Sequence, residues 1–189
     1  MTPARVLLLP GWQNSGPGHW QSRWEALHGF QRVDQDDWLW PRRGDWMAVL
    51  EDTLLADDRP ALLVAHSLGC HLVAAWAGHS RHTARVAGAL LVAPPDLERA
   101  DMPPQVQTWA PIHRQPLPFA TTAVLSADDP FADPARSLQL AAAWGSEIVS
   151  LGAAGHINAD SGLGDWPEGI ALLQALATRG GLTLDATAS

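Results

Sequence analysis

The sequence has no lysine, no tyrosine and a single cysteine, Cys70, among its 189 residues. Without lysine there is no P-loop lysine, no Schiff base and no serine–lysine dyad. Without tyrosine no phenol can transfer a proton. One cysteine forms no disulfide within the chain and no cysteine-rich zinc site, and it agrees weakly with a reducing compartment. Positive charge is scarce as well. All 12 basic residues are arginine, against 20 acidic ones, a formal net charge of −8. That balance disfavours a nucleic-acid partner, which wants a basic face. Long hydrophobic runs are missing too. Val6–Leu9 is too short for a signal-peptide core or a membrane span, so a cytoplasmic chain with no membrane partner is expected. No H-E-x-x-H pattern occurs, and neither a metal nor a cofactor is expected.

What is present points to a globular core. The hydrophobic fraction is 47% and the charged fraction 17%, outside the range of disordered chains. Apolar runs at Val6–Leu9, Ala61–Ala65, Val86–Ala93, Thr122–Leu125 and Glu147–Leu151 read as buried strands. A shorter strand is expected within Phe30–Asp34. Helical spacing appears over His19–His28, around Trp46 to Leu54 with Asp45 as a cap, over Leu68–Ala77, Pro134–Trp144 and Pro167–Ala177. Strands alternate with helices, the pattern of a mostly parallel α/β sheet covered on both faces. Residues 1–179 form one domain in this reading, and 180–189 a flexible polar tail. The proline-rich stretch from Pro94 to Pro118 is a loop over the carboxyl edge of the sheet, too short for a cap domain.

The second buried strand ends in Ala65-His66-Ser67-Leu68-Gly69 and a helix follows at once. This is G-x-S-x-G with alanine in the first glycine position. Small residues two places either side of a serine are what a tight strand-to-helix turn needs to expose a nucleophilic hydroxyl. The amide of Leu68 then faces a developing oxyanion. Serine needs a base, and in this architecture the acid and then the histidine follow it in the chain. His156, in Gly155-His156-Ile157-Asn158, lies beyond the last strand. Asp128 and Asp129 lie beyond the strand before it. Asp129 precedes Pro130, which biases it to extended backbone at the strand end; Asp128 then braces the turn. After the first strand, Pro10-Gly11-Trp12-Gln13-Asn14 supplies a second oxyanion donor, assigned to the Trp12 amide. Trp12, Gln13, Trp20 and His66 are candidates to line the substrate pocket, with packing an equal alternative for His66. Trp24, Trp46, Trp76 and Trp144, among 10 tryptophans, read as packing residues.

Leu9-Pro10-Gly11-Trp12-Gln13-Asn14-Ser15, His19-Trp20, His66-Ser67-Leu68-Gly69, Ser126 with Asp129-Pro130, and Gly155-His156-Ile157-Asn158 together resemble a known family. It is the small serine hydrolases of the retinoblastoma-binding-protein-nine and YdeN type, cap-less members of the α/β-hydrolase superfamily. The resemblance runs from the first strand to the last helix. It implies a triad of Ser67, Asp129 and His156 and an esterase-like activity on a small-molecule acyl substrate. The mammalian relative's pocket-protein partner is not carried over, because Leu72 stands where a Leu-x-Cys-x-Glu segment needs glutamate. The same machinery serves amides, thioesters or acyl transfer, and a binding module with the same fold and little turnover is the reading from another class.

Overall fold

The computed structural model describes residues 1–185. Its strands are β1 (Thr2–Leu9), β2 (Gln31–Arg32), β3 (Ala61–His66), β4 (Val86–Val92), β5 (Ala120–Leu125), β6 (Glu147–Ser150) and β7 (Leu182–Leu184). Its α-helices are α1 (Trp20–His28), α2 (Arg43–Leu55), α3 (Leu68–Ala77), α4 (Pro104–Gln107), α5 (Pro134–Ala143) and α6 (Pro167–Arg179). The strands lie in the order β2-β1-β3-β4-β5-β6, and β7 pairs with β1. Every pairing is parallel.

Alternation along the strands divides the core in two. Leu7, Leu9, Leu63, Ala65 and Leu91 face α2 and α3, packing with Trp46, Leu50, Leu72 and Trp76. Val6, Leu8, Leu62, Val64 and Leu90 face α1 and α6, packing with Trp20, Trp24, Trp166 and Leu173. Seven tryptophans are fully buried. Burial of an indole is tolerable when its N–H finds an acceptor. Trp20, Trp24, Trp46, Trp109 and Trp144 each donate to a backbone carbonyl, and Trp76 donates to the Glu51 carboxylate.

Three expectations are corrected. The stretch from Gly180 is not simply a polar tail: Leu182–Leu184 form β7, whose backbone pairs with Thr2–Ala4 and whose Leu182 is buried. Sequence pattern hides so short an edge strand because three residues show no periodicity, although Leu182 is buried and Leu184 packs against the core. The rest of the expected tail, 186–189, lies outside the described residues. Asp45 does not cap α2. The N-cap is Arg42, without a side-chain hydrogen bond, and Asp45 sits in the first turn where a carboxylate complements the helix dipole. Finally, β6 is not covered on both faces. As the terminal strand it leaves Glu147, Ile148 and Ser150 exposed. Between β4 and β5 only the four-residue α4 interrupts an irregular connection, and there is no cap domain.

Candidate active site

The carboxyl ends of β1, β3 and β5, with the loop after β6, converge at one edge of the sheet. There β3 turns into α3 at Ser67, whose backbone takes φ 55° and ψ −122°. A non-glycine residue held at positive φ stores strain that the surroundings must offset. Here the Ser67 amide donates to the Val92 carbonyl at 2.9 Å and the Ser67 carbonyl accepts from Cys70. The glycine two residues on is compulsory. A Cβ on Gly69 would stand 2.3 Å from the Leu9 carbonyl oxygen. Gly11 meets the turn from the other side, where an added Cβ would lie 2.8 Å from Ser67 Cβ and 3.3 Å from the Leu68 nitrogen. The amides of Leu68 and of Trp12, the residue after Gly11, belong to the two segments that meet at the serine. Neither makes a hydrogen bond among the described residues; Leu68 opens α3, where amides have no intrahelical acceptor.

His156 Nε2 lies 2.8 Å from Ser67 Oγ. Its Nδ1 lies 2.9 Å from both carboxylate oxygens of Asp129. Asp129 Oδ1 also accepts from the Phe131 amide at 2.9 Å. Both side chains are nearly enclosed. Asp128 points elsewhere: it accepts from the Gly155 amide at 2.7 Å and the Ser126 hydroxyl at 2.9 Å. Those donors, the Gly155 amide first, hold its carboxyl below the usual range. Asp128 thus braces the loop that carries His156. That loop is fixed at two successive carbonyls. His66 Nε2 donates to the His156 oxygen at 2.9 Å, and the Trp20 indole donates to the Ile157 oxygen at 2.8 Å.

A cavity of about 340 Å³ opens over Ser67. Trp12, Gln13, His66 and Leu68 line it, as do His19, Asn158 and Phe131. Trp20 does not. It is buried beneath His19 and His66 and packs against Trp24 and Trp166; at the start of α1 its ring points into the core. Pro95, Leu97, Met102, Pro103 and Val106, from the β4–β5 connection, form an apolar wall of the cavity. Cys70 is buried and packs as a small apolar residue, its thiol pushed up in pKa by burial. Among the described residues no three His, Cys, Asp or Glu side chains gather to hold a metal, and no helix is long and apolar enough to cross a membrane.

One contributor escaped the sequence pattern. Gln21, fully buried in α1, donates to the Leu9 carbonyl at 3.2 Å and the Val64 carbonyl at 3.1 Å. It also accepts from the Ser15 hydroxyl at 2.8 Å. It ties β1, β3 and the loop carrying Trp12 together just behind the serine. Followed by Ser22 and Arg23, this glutamine reads as a solvent-facing helix position, and no spacing signals its burial.

A family model described as serine hydrolase matches residues 6–175. Among solved structures, the chain is similar to a YdeN-like hydrolase from Pectobacterium atrosepticum, at 31% identity and TM-score 0.80, covering 95% of this chain and 91% of that one. The ydeN gene product of Bacillus subtilis shares 20% identity at TM-score 0.69, over 93% and 99% of the two chains. A monoacylglycerol lipase from Paleococcus ferrophilus shares the fold at 12% identity and TM-score 0.67, over 93% and 95%. Among curated proteins none matches. With a tight strand-to-helix turn presenting Ser67 and a family match over almost its whole length, the chain belongs to the serine hydrolase family.

Proposed function

We propose that the chain is an esterase that cleaves small acyl esters through an acyl-enzyme, with Ser67, His156 and Asp129 as its triad. The observation that carries this reading is the unbroken contact from Ser67 Oγ through the His156 ring to the Asp129 carboxylate. His156 Nε2 takes the hydroxyl proton as Ser67 Oγ bonds to the ester carbonyl carbon. Asp129 holds Nδ1 protonated, so that Nε2 presents its lone pair, and stabilises the imidazolium that forms. The carbonyl oxygen becomes an oxyanion facing the amides of Trp12 and Leu68. Collapse breaks the bond to the alcohol oxygen, which takes the proton from His156 Nε2. Water then attacks the acyl-enzyme, gives a proton to the same nitrogen, and the acid leaves with Ser67 restored.

The apolar wall of Leu97, Met102 and Val106 supports an acyl site. In a cavity of this size it favours short chains, and without a cap domain no interfacial activation is expected. Amide, thioester or acyl-acceptor chemistry uses the same steps with a different leaving group or acceptor. The test is a series of p-nitrophenyl esters of rising acyl length, given to the native chain and to Ser67→Ala. Turnover should peak at short acyl groups and vanish in the variant. A preference for long-chain emulsified lipids refutes the acyl assignment, and undiminished turnover by Ser67→Ala refutes the triad.

A further inference from the structure

The cavity over Ser67 is lined by groups of two kinds. One wall carries Leu97, Met102 and Val106, which belong to the core with α2 and α3. Three histidine rings in a row, His19, His66 and His156, line the cavity as well. His19 and His66 centroids are 4.6 Å apart, and those of His66 and His156 are 5.0 Å apart. Under the proposed mechanism the departing oxygen takes its proton from His156 Nε2, so the leaving group must lie against His156. The acyl group is then left to the apolar wall. His66 is the polar ring next to His156 on the leaving-group side; Phe131, 4.6 Å away, is its apolar counterpart.

The chemistry of His66 is fixed by its surroundings. Its Nε2 meets the His156 carbonyl oxygen, and a carbonyl only accepts, so Nε2 carries the hydrogen. Burial, with His19 and His156 close by, pushes its pKa well below 6.5, so the ring is neutral. Nδ1 is then a bare lone pair. It makes no hydrogen bond among the described residues, and the His66 residue lines the cavity.

We propose that His66 Nδ1 is a specificity-determining hydrogen-bond acceptor that selects substrates whose leaving group carries a hydroxyl or N–H donor close to the scissile bond. This rests on the esterase reading above and adds the substrate class to it. A leaving group without such a donor displaces water from Nδ1 and leaves a buried acceptor unpaired.

The test uses three esters of one short acid: 2-hydroxyethyl, its near-isostere n-propyl, and 2-methoxyethyl, which accepts but does not donate. His66→Gln places an amide N–H where Nε2 was, keeping the bond to the His156 carbonyl while removing the acceptor. His66→Asn places an amide oxygen where Nδ1 was. The hydroxyethyl-to-propyl ratio of kcat/KM should fall about tenfold in His66→Gln and stay within about twofold of the native ratio in His66→Asn. Comparing ratios between proteins cancels the esters' intrinsic reactivities. The methoxyethyl ester should behave as the propyl one. An unchanged ratio in His66→Gln, a collapsed ratio in folded His66→Asn, or methoxyethyl matching hydroxyethyl overturns the proposal. Calorimetric binding of the same esters to Ser67→Ala, with and without His66→Gln, separates the two claims. A hydroxyethyl preference that depends on His66 there, with no turnover by the native chain, sinks the esterase reading and upholds the acceptor. Turnover that depends on Ser67, with no such preference, does the reverse.

Discussion

His156 Nδ1 stands 2.9 Å from each carboxylate oxygen of Asp129, while the neighbouring Asp128 is turned away to the Gly155 amide and the Ser126 hydroxyl. Adjacent carboxylates therefore hold different places in one loop. Asp129→Asn removes the charge that sets the histidine tautomer and should lower kcat about 10⁴-fold with little change in Tm. Asp128→Asn keeps an oxygen that accepts from Gly155, and should lower kcat less than about tenfold. Steady-state kinetics and a melting curve on both variants check this. A collapse in Asp128→Asn alone would transfer the orienting role one residue back.

Gly69 and Leu9 test the strand-to-helix turn itself. A methyl at Gly69 would sit 2.3 Å from the Leu9 carbonyl oxygen, with Pro10 beside it, and backbone cannot swing away as a side chain can. Gly69→Ala must push α3 off β1 and shift Ser67 with it. Overpacking of this kind costs about 1–3 kcal/mol, which corresponds to roughly 2–12 °C in Tm for a chain of this size. Activity should fall more than stability does, because Ser67 loses its place relative to His156. Wild-type kcat in folded Gly69→Ala would show that the turn tolerates a side chain.

Buried histidines give the fold a pH dependence of definite sign. Burial lowers His19 and His71 to about 4. Near His71, Asp96 and Glu98 oppose the shift and Arg114 adds to it. With folded pKa values below the ordinary 6.5, the unfolded chain binds protons that the native one refuses between about pH 6.5 and 4. Stability is then full above pH 6.5 and declines as the pH falls through that window. Each such histidine contributes a slope of up to about 1.4 kcal/mol per pH unit. Urea unfolding at pH 7, 6 and 5 should show the decline, and His71→Gln should make it shallower. An equal slope in the variant would remove His71 from the account.

The sequence made the strand-to-helix turn legible because its requirements are steric and local. Only small residues fit at Ala65 and Gly69, and the apolar runs on either side mark strand and helix. His156 and the aspartate pair were legible through chain order, since each lies just past its own strand. Gln21 was not legible. Its value comes from Leu9 and Val64, carbonyls brought together only when β1 and β3 pair. In sequence Trp20 stands near the loop after β1, which suggests a place in the pocket. Its contribution is instead a hydrogen bond to Ile157, 137 positions along the chain, which no local pattern reveals. The strand β7 is hidden for a similar reason, since its backbone pairs with Thr2–Ala4 at the far end of the chain.

The central claim is that Ser67, activated by His156, is the nucleophile. A fluorophosphonate probe followed by intact-mass measurement and peptide mapping tests it most directly. The account predicts one adduct per chain on the peptide containing Ser67, none in Ser67→Ala, and much slower labelling in folded Asp129→Asn. A stoichiometric adduct in Ser67→Ala, or one mapped to another serine in the native chain, would contradict it.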